Sequence, residues 1–144
     1  MGTAVLIDAG PLIALIDRGE PRHDDCVAAV RQVQGPLLTT WPVLTEAMYI
    51  LGDVGWRAQR LLWELMLSED VEIADLDGAA IIRARALMEK YQDVPMDLAE
   101  ASLVAVAEQR RLTRVLTLDG HFHAYRPAPR ATFEVLPAPA PAAS

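Results

Sequence analysis

Residues 5–17 read VLIDAGPLIALID, two apolar runs with a single charge, Asp8, between them. Val5 to Ile7 has the pattern of a short buried strand, and Leu12, Ile13, Leu15 and Ile16 after Pro11 form the inward side of a helix. A carboxylate at the end of a buried strand costs several kcal/mol unless it is paired or binds a cation. The position of Asp8 therefore needs a cause.

Outward from this stretch, strand and helix signals alternate. Strands are expected over 3–8, 37–40, 71–74, 114–118 and 132–136, and helices over 11–17, 20–34, 42–51, 56–67, 77–91 and 97–110. Gly35-Pro36 stops one helix, and Gly52 and Gly55 separate two others. Alternation of this kind predicts a three-layer α/β/α sandwich around a mainly parallel sheet of four to five strands. The sequence contains no internal repeat. A chain of 144 residues, 52% hydrophobic, suits one compact domain, expected over 1–136, and the Pro/Ala-rich residues 137–144 read as a flexible tail.

No apolar run approaches the roughly 18–20 residues of a membrane span. The start, Met-Gly-Thr-Ala-Val-Leu-Ile-Asp, lacks the basic n-region of a secretory signal, and a single cysteine, Cys26, forms no internal disulfide. The expected setting is cytoplasmic, with no membrane partner. Thirteen Lys and Arg against twenty Asp and Glu give a net charge of −7, which excludes a simple basic nucleic-acid binder. An acidic chain would need cations to approach phosphate.

In an open parallel sheet, ligands bind beyond the carboxyl ends of the strands. Asp8 follows the first strand and Asp119 the fourth; Asp97 opens the Ala-rich helix and Glu46 lies early in the helix after the second strand. All four acids thus map to one edge. Clustered carboxylates repel one another, and the usual relief is a hard divalent cation with oxygen ligands, Mg²⁺ or Mn²⁺. No Cys/His cluster with zinc spacing is present. Each acid alone also has a structural use. Asp8 suits an N-cap, Asp97-Leu-Ala-Glu100 a capping box, Asp119-Gly120 a turn, and Glu46 a first-turn position favoured by the helix dipole. The conjunction on one edge says more than any member.

The residues around these acids resemble a known family. Asp8 after its strand, Thr40-Trp-Pro-Val-Leu-Thr-Glu46-Ala, Pro95-Met-Asp97-Leu-Ala-Glu-Ala-Ser-Leu-Val-Ala-Val-Ala-Glu108 and Leu116-Thr117-Leu-Asp119-Gly-His-Phe122 resemble the PIN-domain nucleases. More narrowly, the pattern is similar to the VapC-type toxins of bacterial toxin-antitoxin pairs over about residues 3–136. The resemblance implies a metal-dependent endoribonuclease with Asp8, Glu46, Asp97 and Asp119 as catalytic and metal-binding acids. It also implies cleavage by metal-activated water to a 5′-phosphate and a 3′-hydroxyl, an RNA substrate, and a cognate antitoxin. Thr117 sits where the family often carries a Thr or Ser that orients the site, and it is equally a β-branched strand residue. Glu100, one turn after Asp97, shares its face and fits either the capping box or the acidic cluster.

Other residues invite blander readings. His23, His121 and His123 read as structural or solvated, Cys26 as a small buried hydrophobe, and the Arg110, Arg111 and Arg114 cluster as a solvated helix end. Trp41, Trp56 and Trp63 read as core or interface, and the apolar helices that carry them suit a homodimer face or an antitoxin groove. Two alternatives stand beside the nuclease. One is a degenerate PIN module that binds RNA or a partner protein without cutting. The other is a receiver-like or phosphatase-like domain using Asp8, which the lack of an Asp-x-Asp there and of a Lys near the last strand disfavours. The absence of a glycine-rich P-loop argues against nucleotide hydrolysis.

Overall fold

The computed structural model describes residues 2–137. Apart from Pro137, the expected tail over 137–144 lies outside the described residues. The elements run β1 (Val5–Ile7), α1 (Ala9–Ile16), α2 (His23–Gln32), β2 (Leu37–Thr39), α3 (Trp41–Leu51), α4 (Trp56–Leu67), β3 (Val71–Ile73), α5 (Gly78–Lys90), α6 (Leu98–Arg110), β4 (Arg114–Leu116) and β5 (Glu134–Leu136). A 3-10 turn over Gly120–His123 follows β4. The five strands form one sheet in the order β3-β2-β1-β4-β5, and every neighbouring pair is parallel.

This order has a physical consequence. The chain steps outward from β1 to β2 to β3, then returns through α5 and α6 to place β4 on the other side of β1. Right-handed crossovers running in opposite directions put their helices on opposite faces of the sheet, which produces the α/β/α layering. The reversal falls between β1 and β4, so the loops after these strands diverge and leave a crevice at their carboxyl ends.

The core is built from β1, β2 and β4 and from α6, whose residues from Ala99 to Ala107 are all buried. Its Ala-rich sequence suits a helix packed closely over most of its length, here against α5 and α3. Buried side chains from Leu12, Leu44, Leu51, Leu62 and Phe122 complete the interior. Cys26 is buried as a small hydrophobe, as its surroundings in the sequence suggest. Gly35 is required where α2 gives way to β2, because a Cβ there would overlap the Thr3 carbonyl oxygen on the segment entering β1.

The expected elements are all present, with shifted limits. α1 begins at Ala9, two residues before Pro11, because Asp8 itself caps it through the Ala9 N–H at 2.8 Å. β4 ends at Leu116, although the Thr117 N–H still donates to the Leu136 carbonyl at 2.8 Å. Trp41, Trp56 and Trp63 are exposed rather than core, on an apolar surface shared by α3 and α4. Among the described residues, no helix is long and apolar enough to cross a membrane.

Candidate active site

Asp8 leaves β1 at the crevice and is 7% exposed. Its Oδ1 accepts from the Ala9 N–H at 2.8 Å and its Oδ2 from the Thr117 hydroxyl at 3.0 Å. Thr117 also accepts from the Asp119 N–H at 3.0 Å, so one side chain fixes both strand-end acids. Asp119 in turn accepts from the His121 N–H at 2.8 Å, the turn geometry expected of Asp-Gly.

Asp97 and Glu100 form a reciprocal capping box at the start of α6, with bonds of 2.7 and 3.0 Å. Glu46 lies in the second turn of α3, whose start is tied to α6 by a buried 2.6 Å contact between Thr40 Oγ1 and Ser102 Oγ. Thr39 anchors β2 to β1 by donating to the Ile7 carbonyl at 3.0 Å, next to Asp8. These buried polar links hold four separate elements in register at one sheet edge. The result is a cavity of about 230 Å³ lined by Asp8, Glu46, Asp97, Glu100, Thr117 and Asp119.

The capping and the clustering explanations therefore coexist. Asp8, Asp97 and Asp119 each satisfy backbone N–H groups, and the same side chains face a shared cavity. The electrostatics mark the cluster as unbalanced. Burial is the main cause that pushes the Asp8 carboxyl up to about 6, with Asp97 and Asp119 adding to it against the hydrogen bonds from Ala9 and Thr117. Glu46 is raised by burial first and then by the charges of Asp97, Asp8 and Asp119, so it feels all three of the other predicted acids.

Burial likewise pushes the Glu100 carboxyl well above the ordinary range, and its hydrogen bond with Asp119 raises it further. Burial alone would raise Asp119, but the bonds from Glu100 and the His121 N–H and the nearby His121 ring outweigh it and hold Asp119 low. Glu100 thus keeps a proton that Asp119 gives up. His121 Nδ1 stands 3.2 Å from Asp119 and 3.8 Å from Glu100. Among the described residues, Glu100, Asp119 and His121 form the one group of His, Cys, Asp or Glu whose ligand atoms all lie within 4.8 Å of one another. The predicted quartet lines the cavity with wider spacing.

The family model described as PIN domain matches residues 5–126. This chain is a PIN-domain protein of the VapC type. It is 30% identical over 135 residues to Ribonuclease VapC26 of Mycobacterium tuberculosis, covering 92% of this chain and all of that one. The fold matches M. tuberculosis VapC20, a sarcin-ricin loop cleaving toxin, with a TM-score of 0.79 and 21% identity over 83% of this chain and 93% of that one. It also matches a toxin-antitoxin complex from Klebsiella pneumoniae, at a TM-score of 0.62 and 21% identity over 80% of this chain and 86% of that one. VapBC2 of Rickettsia felis, bound to a promoter DNA fragment, gives 0.68 and 13% over 92% of this chain and 98% of that one.

Within this PIN domain, sequence reasoning located the four acids but gave no role to several residues that position them. Tyr125 is fully buried; its hydroxyl donates to the Pro95 carbonyl at 3.0 Å and lies 3.5 Å from Glu100 Oε2. Tyr125 also packs edge-on to Tyr91 and Phe122. It sits in an irregular segment, where no periodicity distinguishes a core aromatic from a surface one. Ser102 and Thr39 were likewise silent, since a hydroxyl in an apolar helix or strand reveals its bond only once its partner is known. His121, read from sequence as structural or solvated, stands against the acids.

Proposed function

We propose that this PIN domain is a metal-dependent endoribonuclease acting as the toxin of a toxin-antitoxin pair, in a cytoplasmic setting. The observation that carries the reading is one sheet-edge cavity lined by Asp8, Glu46, Asp97, Glu100 and Asp119, with carboxyls held away from their ordinary ionisation by burial and mutual repulsion. An all-oxygen, carboxylate-rich donor set of this kind fits Mg²⁺ or Mn²⁺. Asp8, Asp97 and Asp119, with Glu46, are the residues assigned to hold it. Residues 1–136 act as the single nuclease unit.

A bound divalent ion would supply water activation and charge neutralisation at the scissile phosphate. The chain's own residues supply placement. Thr117 sets the spacing of Asp8 and Asp119, the capping box aims Asp97, and the hydrogen bond between Thr40 and Ser102 brings Glu46 towards them. The proton on Glu100 limits the negative charge at the edge to which an anionic RNA must come. The relatives that are ribonucleases or stand in toxin-antitoxin complexes support an RNA substrate and an antitoxin partner. The exposed apolar surface of α3 and α4, with Trp41, Tyr49, Trp56, Trp63 and Leu67, suits a second copy of the chain or the antitoxin. A homodimer is the expected form, and a monomer mass by light scattering at tens of micromolar would refute it.

The deciding experiment measures Mn²⁺ binding by calorimetry and cleavage of total cellular RNA on the same samples. Wild type should bind and cut, and Asp8→Asn and Asp97→Asn should each lose more activity than the roughly 10–100-fold typical of an outer-shell metal partner. Full cleavage by both variants, or in excess chelator, would overturn the reading in favour of a module that binds without cutting.

A further inference from the structure

An RNA drawn to the acidic edge meets the carboxylates of Asp8, Glu46, Asp97 and Asp119 on a chain of net charge −7, so cations beyond that edge would add to its binding free energy. A second cavity, of about 710 Å³, lies at the opposite end of α6. Arg83, Lys90, Arg111 and Arg126 line it, with Glu108 as its only acid and Leu112 and Pro127 to Pro129 as an apolar wall. Glu108 is committed to Arg83 by bonds of 2.8 and 3.0 Å. Lys90, Arg111 and Arg126 have no carboxylate partner among the described residues.

Helix-end electrostatics account for Lys90, in the last turn of α5, but not for the whole group. The carboxyl end of α6 is already served by Arg110, which pairs with Glu72 at 3.2 Å, and Arg126 comes from an irregular segment outside any helix. Arg111 stands in the left-handed conformation, φ 57° and ψ 47°, a position that Gly or Asn occupies at lower cost. A long cation is thus kept at a strained helix end where a smaller residue would fit better.

We propose that this cavity holds phosphodiester groups of the RNA substrate at a distance from the bond that is cut. The proposal rests on the ribonuclease reading above and deepens it. The thirteen residues of α6 separate the cavity from Asp97 by about 20 Å at 1.5 Å per residue. At about 3.4 Å per stacked nucleotide, that spans on the order of six nucleotides. The segment from Asp119 through the 3-10 turn to Arg126 joins the two sites, so a strand seated among the cations is led along it to the acids.

The test uses the full chain in chelator, so that binding is read without cleavage, and follows anisotropy of labelled oligoribonucleotides against salt. RNA of about twelve nucleotides should bind more tightly than RNA of about three, the shorter carrying too few phosphates to engage Lys90, Arg111 and Arg126 together. Lys90→Gln combined with Arg111→Gly should remove that length dependence and lower the salt slope by about 1.4, or about 0.7 per lost contact. Arg111→Gly suits the backbone conformation, so the fold is kept. Arg57→Gln, which removes an exposed cation on α4, should leave slope and length dependence as they were. An unchanged slope in the double variant overturns the proposal, as does loss of inorganic pyrophosphate binding, titrated on the same two proteins, with RNA affinity intact, which would make the cavity a small-anion site. If the chain binds RNA with these dependences and fails to cut it with Mn²⁺, the ribonuclease reading fails and the RNA site stands.

Discussion

The two ends of α6 carry opposite charge and opposite economies of charge. At its amino end, Asp97 joins Asp8, Glu46 and Asp119 around one cavity, like-signed and partly buried, with Glu100 beside them and no Lys or Arg among the lining residues. At its carboxyl end, Arg110 pairs with Glu72, and Arg83 with Glu108 from the last turn, on surface open to water. Charge at the second end is cheap because solvent screens it. At the first end the fold holds acids together against their repulsion, and backbone N–H groups and Thr117 stabilise what the neighbours destabilise. The lesson is that buried charge held against like charge, rather than charge itself, marks the acidic edge.

That contrast is sharpest at Asp8. The folded chain raises its carboxyl from 3.8 to about 6, so the folded state binds this proton more tightly than the unfolded state does. Stability should therefore fall as pH rises from about 4 to about 6, with the full cost present above that window. At 1.36 kcal/mol per pH unit the cost is about 3 kcal/mol. In chelator at neutral pH, Asp8→Asn should gain stability of that order in urea unfolding while it loses RNA cleavage, and the gain should vanish near pH 4. Destabilisation by this variant at neutral pH would show that Asp8 is an ordinary cap and would erase the difference between the two ends.

The fold was legible because its signals are local. Hydrophobic runs, Gly35-Pro36 and the break at Gly52 and Gly55 mark elements within a few residues of where they occur. The edge occupied by Asp8, Glu46, Asp97 and Asp119 was legible too, since parallel strands place their carboxyl ends together. What stayed hidden depends on contacts between distant segments. The strand order that sets the crevice between β1 and β4, the bond from Thr40 to Ser102, and the burial of Tyr125 beneath Glu100 join residues from 25 to 62 positions apart or more. Nor does sequence spacing distinguish a capping acid from a site acid when one side chain is both, as Asp97 is.

A smaller effect is expected at Thr117. Thr117→Val removes the 3.0 Å bond to Asp8 and the acceptor for the Asp119 N–H, and leaves groups near the crevice unsatisfied. The cost should be about 1–3 kcal/mol at neutral pH by urea unfolding. Because that bond lowers the Asp8 carboxyl, its loss should also move the pH window of instability upward. A variant as stable as wild type, with the same pH profile, would mean that Thr117 is only a strand-end residue and that the acids are positioned by backbone alone.

The least effect should come from the other end of the helix. Arg110→Gln breaks the pair with Glu72, whose side chains are 41% and 53% exposed. Water already solvates both groups, so the attraction lost is nearly matched by hydration and side-chain freedom regained, and the change should stay within about 1 kcal/mol. Molar salt, which cuts the screening length to about 3 Å, should reduce even that difference between variant and wild type. A loss of several kcal/mol that persists in salt would show that the cationic end is held as tightly as the acidic one. The asymmetry between buried, repelling acids and the solvated pairs Arg110–Glu72 and Arg83–Glu108 would then no longer distinguish the acidic edge.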